Sequence, residues 1–120
     1  MVLTGPTDYV SDGKIVVELK NGVSMLGEIT GSGCMLGSAI ASYCATAVAK
    51  SESSNRSFGG EGTLLASVAG VLVLTIAAEI AIQRPDVWGA GTFLPALIDS
   101  IHNLRSEDVK NRAKVMVHVD

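Results

Sequence analysis

The spacing of hydrophobic positions changes character along the chain, and each change marks an element. Val2 and Leu3 look like the end of a strand. In "TDYVSDGKIVVELKNG", Ile15, Val17 and Leu19 alternate with more polar positions, the period of a half-buried strand. Asp12-Gly13 and Asn21-Gly22 are turn dipeptides, so the segment predicts a hairpin. A connector, "VSMLGEIT", leads to the glycine pair Gly31 and Gly33. From about Cys34 to Ala49 the period becomes helical, with Leu36, Ile40, Tyr43 and Ala47 on one stripe. A polar, glycine-ending surface loop, "SESSNRSFGGEG", separates this helix from a second, Thr63 to Ile82, which stops near Pro85. After the loop "DVWGAG", Thr92 is the expected N-cap of "FLPALIDSIHNL", with Pro95 in the first turn. The inward stripe of that helix is Leu94, Leu97, Ile101 and Leu104. Ser106 is the expected cap of a short last helix, and "KVMVHV" closes the chain as a strand with Val115, Val117 and Val119 on one face.

The order is strands, then helices, then a strand, without internal repeat or low-complexity linker, so the class is α/β, and residues 1–120 suffice for one compact domain or for half of a larger one. The helices have few short strands to pack on, which predicts a larger sheet completed by other sequence. A net charge of −3 and the scarcity of basic clusters argue against a nucleic-acid partner. Cys34 and Cys44 sit about 15 Å apart along one helix, too far for a mutual disulfide, which points to a reduced, cytoplasmic protein. The opening "MVLTGPTDYVSDG" has neither a basic region nor a long apolar run. Thr63 to Ile82 is nearly long enough to span a bilayer. Glu79 lies inside it and small residues surround it, which is the pattern of a helix buried on every side. The expectation is therefore no membrane partner, with a membrane hairpin as the weaker reading.

The chemistry concentrates in "GSGCMLG", Gly31 to Gly37. It lacks the GK[ST] ending of a Walker A loop, and its third glycine comes one residue late for GxGxxG. What remains is G-x-G-C entering a helix. The first N–H groups of a helix lack internal partners and carry the positive end of the dipole. Glycines let the backbone approach an anion closely, so Gly31, Ser32 and Gly33 make a candidate anion hole. Cys34 falls in the first turn, where the same field lowers a thiol pKa. It could serve there as a base toward an attacking hydroxyl or as a nucleophile. The alternative is a tight helix-entry turn with a packed cysteine. Asp8 and Asp12 flank a turn and are read as turn formers rather than metal ligands. Glu79 is read as a buried-pair or interface residue, Met35 as core, Cys44 as an inert packed thiol and Trp88 as a surface plug. Arg56 is read as a solvated loop charge. His102 and His118 lack companions at ligand spacing, and no metal ligands are assigned.

"TGPTDYVSDG", "ITGSGCMLGSAIAS", "AAEIA" and "GAGTFLPALIDSIHNL", in that order, resemble the C-terminal half of the hydroxyethylthiazole kinases, thiazole-salvage kinases of thiamine biosynthesis in the ribokinase-like superfamily. The resemblance implies the C-terminal part of a ribokinase-like three-layer sandwich. It implies phosphoryl transfer from ATP, with Mg2+, to the primary hydroxyl of 4-methyl-5-(2-hydroxyethyl)thiazole. By carry-over, Gly31, Ser32 and Gly33 face the transferring phosphate, and Gly31 also lines the thiazole side. Cys34 stands where many ribokinase-like enzymes place an aspartate base. Thr4 and Gly5 match a nucleotide-binding element, with the threonine bonding a phosphate oxygen. Family members are commonly trimers with sites at subunit boundaries, so a homo-oligomer is implied. They are also roughly twice as long, and their N-terminal half carries an ATP-contacting arginine and the acidic metal-binding residues. The expectation is a fragment, a truncated product or one piece of a split protein, with little activity alone. The other reading is a non-catalytic nucleotide-binding or scaffolding remnant.

Overall fold

The computed structural model describes residues 1–53 and 60–120. The alternating segment forms the expected hairpin. Strand β1 (Val2–Leu3) pairs with β2 (Asp8–Ser11), β2 with β3 (Ile15–Leu19), and β3 with the C-terminal β4 (Val115–Val119), all antiparallel in the order β1-β2-β3-β4. Asp12 closes the β2–β3 turn, its Oδ1 accepting the N–H groups of Lys14 and Ile15 at 2.9 Å each. The register sets Val10 opposite Val17 and Val17 opposite Val117, so these residues share one face of the sheet. A one-residue slip would turn the whole apolar set outward.

A short 3-10 turn, Ser24–Gly27, follows the sheet, and then come helices α1 (Ser32–Ser53), α2 (Gly60–Ile82), α3 (Ala90–Asn103) and α4 (Ser106–Arg112). The α1 and α2 helices extend into the segment expected to be a loop. Arg56 lies outside the described residues. The α2 helix is the centre of the molecule. Its Val68, Val71, Leu72 and Ile76 pack on Val10, Val17 and Leu19 of the sheet. Its Leu74, Ala77, Ala78 and Ala81 pack on Phe93, Ala96 and Leu97 of α3. A helix engaged on several sides has no polar face, which accounts for an apolar run long enough to mimic a membrane span. Fully burying side chains of the size of Leu19, Ile76 or Phe93 stabilises by about 1.5–3 kcal/mol each.

The α1 helix lies against α2 through Leu36 and Ile40. The contact is close: a Cβ on Gly70 would stand 2.7 Å from the Ile40 Cα, so only glycine fits there. The predicted stripe ends early, because Tyr43 is exposed. The α1 helix also has the length and apolarity to cross a membrane. The α3 helix begins at Ala90 with Gly89, not Thr92, as its cap. Thr92 acts from inside the first turn, its Oγ1 accepting the N–H groups of Trp88 and Gly89. The earlier start puts Pro95 in the second turn; the buried positions are Phe93, Ala96, Leu97 and Ser100, with Ile101 and Leu104 of the expected stripe packed beside the cores. In α4 the cap is Arg105 rather than Ser106, and Asp108 accepts the Arg105 N–H. Trp88 plugs nothing, being 89% exposed.

Glu79 is the buried-partner residue that its position suggested. Its carboxylate accepts the Asn21 side-chain amide and the Gly22 N–H, at 3.1 and 2.9 Å. Asn21 in turn donates to the Arg112 carbonyl and accepts from the Lys114 N–H. This network ties the end of β3 to α2 and to the α4–β4 junction, and it fixes the backbone on which the next segment, Gly22 to Gly27, is hung.

Candidate functional site

Gly31 adopts φ 91°, a left-handed conformation that favours glycine, and its carbonyl accepts the first helical hydrogen bond, from the Met35 N–H at 3.0 Å. The N–H groups of Ser32, Gly33 and Cys34 therefore point out of the helix with no preceding turn to receive them. No acidic residue stands in this first turn. In α3 and α4, Thr92 and Asp108 accept the N–H groups of the residues just ahead of the helix, Gly89 and Arg105. The mouth of α1 is open: a Cβ built on Gly31 or Gly33 meets no atom within 4 Å.

Ser32 and Gly33 line a cavity of about 550 Å³, and Thr4 and Gly5 line it too. Two segments far apart in sequence, the connector after β1 and the entry of α1, are thus brought to one space. Leu26, Leu36 and Leu74 give it an apolar floor, while Asn21, Gly22, Ser24 and Thr75 add polar positions. The Thr75 hydroxyl donates to the Val71 carbonyl at 2.8 Å. A volume of this size suits a small-molecule site. Gly31 and Cys34 sit at its edge rather than in its lining, and the Cys34 thiol is exposed and free.

The sequence reading overlooked part of this lining. Asp8 closes the turn between β1 and β2, as a turn former should, with Oδ1 accepting the Gly5 N–H at 3.1 Å. It is also 6% exposed and the one carboxylate that lines the cavity. Burial pushes its carboxyl above the ordinary carboxylate range, opposed by the Gly5 hydrogen bond. The spacing Gly5 to Asp8 carried a signal for the turn, but nothing in it showed that the turn fronts a cavity. The Gly5 N–H is already engaged, so Gly5 serves the cavity through its lack of a side chain. Among the described residues no three His, Cys, Asp or Glu side chains are grouped to hold a metal ion.

The sequence model of the hydroxyethylthiazole kinase family matches residues 1–107. A hydroxyethylthiazole kinase of Caldivirga maquilingensis is 45% identical over 116 residues, covering 97% of this chain and 38% of that relative. The Clostridium beijerinckii hydroxyethylthiazole kinase is 34% identical, covering 96% of this chain and 37% of that relative. Among solved structures, a hydroxyethylthiazole kinase protein from Pyrococcus horikoshii superposes with a TM-score of 0.73 at 26% identity, over 98% of this chain and 40% of that one. The chain thus spans about two-fifths of the length of the kinases it matches. With nearly its whole length matched in sequence and in fold, this chain belongs to the hydroxyethylthiazole kinase family.

Proposed function

We propose that the chain provides the phosphate-facing part of a site for ATP-dependent phosphorylation of the hydroxyl of 4-methyl-5-(2-hydroxyethyl)thiazole, a step of thiamine biosynthesis or salvage in the cytoplasm. The observation that carries this reading is the open mouth of α1, whose free N–H groups adjoin a cavity shared with Thr4 and Gly5.

Phosphoryl transfer needs positioning and fixed positive potential at the oxygens where charge gathers. The amides at Ser32 and Gly33, pre-aimed by the helix, provide that potential without reorganising. Thr4 lines the same space, and its hydroxyl would donate to a phosphate oxygen of ATP. Cys34, one residue further into the helix, would take the proton of the attacking hydroxyl, and Gly31 would line the thiazole side. Magnesium supplies charge neutralisation when it arrives with the nucleotide. Among the described residues no three His, Cys, Asp or Glu side chains gather to hold the ion. The exposed faces of α1 and β4 are the surfaces offered to a homotrimer.

The test is thiazole-dependent ADP release by the isolated chain, run beside ADP binding. The expected result is ADP binding with little turnover, because the chain spans about two-fifths of the solved kinase. Normal turnover would show that the chain is a sufficient enzyme. ADP binding that thiazole leaves unchanged, with no turnover in a reconstituted assembly, would favour a non-catalytic nucleotide-binding domain. Absence of any ADP binding would sink the phosphate-site reading.

A further inference from the structure

We infer that Asp8 is a positioning residue for nucleotide: by gripping the Gly5 N–H it sets where the Thr4 hydroxyl meets a bound phosphate. The inference rests on the phosphate-site reading and adds a residue to it. The connector from Thr4 to Thr7 is a short, largely exposed link between β1 and β2. Among the described residues, the bond from the Gly5 N–H to Asp8 Oδ1, 3.1 Å long, is the hydrogen bond that holds it. Without that bond, Thr4 and Gly5 are tethered by little more than their chain neighbours, and a threonine on a loose loop loses its aim.

The cost of the arrangement supports a purpose. Asp8 is 94% buried, taking its exposure of 6% from the whole. No cation pairs with it among the described residues. An unpaired buried carboxylate is expensive, and a turn could be closed by an exposed aspartate, as Asp12 does between β2 and β3. Asp8 is placed instead inside the cavity wall. Its Oδ2 receives no hydrogen bond among the described residues, yet no side-chain oxygen there is both sealed from solvent and unsatisfied. The carboxylate therefore keeps access to the cavity while its other oxygen holds the turn.

The experiment compares the chain with Asp8→Asn, Asp8→Ala and Asp8→Glu. Each is titrated with ADP in the presence of magnesium, and the amide resonances of Gly5, Ser32 and Gly33 are followed by NMR. Asparagine keeps an oxygen at the same reach, so Asp8→Asn is expected to bind ADP within about twofold of the parent and to keep the Gly5 amide protected from exchange. Asp8→Ala loses the acceptor, and Asp8→Glu displaces it by a methylene. Both are expected to weaken ADP about tenfold. Both should also expose the Gly5 amide, with the ADP-induced shifts at Ser32 and Gly33 keeping their pattern. A general loss of structure would move all three amides together, and Asp8→Asn would not rescue it. Asp8→Glu carries the test if Asp8→Ala fails to fold. Parent-like ADP binding by Asp8→Glu or Asp8→Ala overturns the inference and leaves the phosphate-site reading standing. So does a loss in Asp8→Asn equal to that in Asp8→Ala, since charge rather than grip would then matter. A parent chain that binds no ADP overturns both.

Discussion

At the scale of single residues, Gly33 and Cys34 divide the proposed work between binding and chemistry. A Cβ at Gly33 meets no atom from other parts of the protein within 4 Å, so Gly33→Val should fold and stand in the path of the phosphate. ADP affinity is expected to fall by about tenfold or more, the value of one charge-assisted hydrogen bond. Calorimetric titration checks it, and unchanged affinity would remove the helix mouth from the site. Cys34→Ala should behave oppositely where the chain turns over. Thiazole-dependent ADP release is expected to drop about 100-fold, the lower range for a lost general base, with ADP affinity nearly unchanged. Equal loss of both would make the thiol structural. The two hairpin aspartates give opposite pH dependences. The Asp8 carboxyl is raised from 3.8 by burial, so the folded state holds its proton to higher pH than the unfolded state does. Its contribution to stability therefore falls as pH rises from 3.8 through the raised value. Asp12 is lowered from 3.8 by the N–H groups of Ile15 and Lys14, so its contribution is lost as pH falls from 3.8 through the lowered value. Urea melts across acid pH should show the first slope vanish in Asp8→Asn and the second in Asp12→Ala. Both residues were legible as turn formers, because an aspartate's short side chain reaches backbone N–H groups a few residues away. That Asp8 also fronts a cavity depends on α1 and the Gly22 segment arriving from elsewhere.

At the scale of elements, two contacts decide how the helices sit. Gly70 lets α1 approach α2 so closely that an added Cβ meets Ile40 backbone atoms. Gly70→Ala must push the helices apart, and the expected loss is about 1–3 kcal/mol by urea denaturation, even though alanine is the better helix former. Glu79 holds the other junction. Glu79→Ala strands the Asn21 amide and the Gly22 N–H, and about 2 kcal/mol of stability should go with them. A neutral result would mean that water replaces the carboxylate. The periodicity that announced these helices said little about their faces. In α3 the expected stripe is buried at Leu97 and packs beside the cores at Ile101 and Leu104, but the most buried face also takes in Phe93 and Ala96, because α2 lies against that side. In β4, Val115, Val117 and Val119 do share a face, opposite Leu19, Val17 and Ile15, but they are 44, 56 and 73% exposed. A pattern fixes which residues point together; what lies opposite them is decided by distant sequence.

At the scale of the whole molecule, stability should be uneven. The α2 helix is packed by the sheet, α1 and α3, whereas no residue in the apolar window of α1 is fully buried. Native-state hydrogen exchange is expected to be slowest in α2 between Val68 and Ala81, and faster in α1, which is less buried. Equal protection of both helices would contradict this ordering. The cavity sits between these regimes. Asn21 and Gly22 anchor one wall to α2 through Glu79, while Ser32 and Gly33 at the entry of α1 form another.

What the sequence determined by itself was local: the hairpin from its alternation and turn dipeptides, the helices from their period, the glycine turn that enters α1, and the family from motifs in a fixed order. Each of these depends on residues within a few positions of one another, where backbone sterics and short-range hydrogen bonding dominate. Only the tertiary structure decided that Thr4 and Gly5 share a cavity with Ser32 and Gly33, that Asp8 is buried in its wall, and that Glu79 locks three segments together. Those are meetings of side chains many residues apart, set by packing around α2, and packing is a property of the assembled chain rather than of any stretch of it.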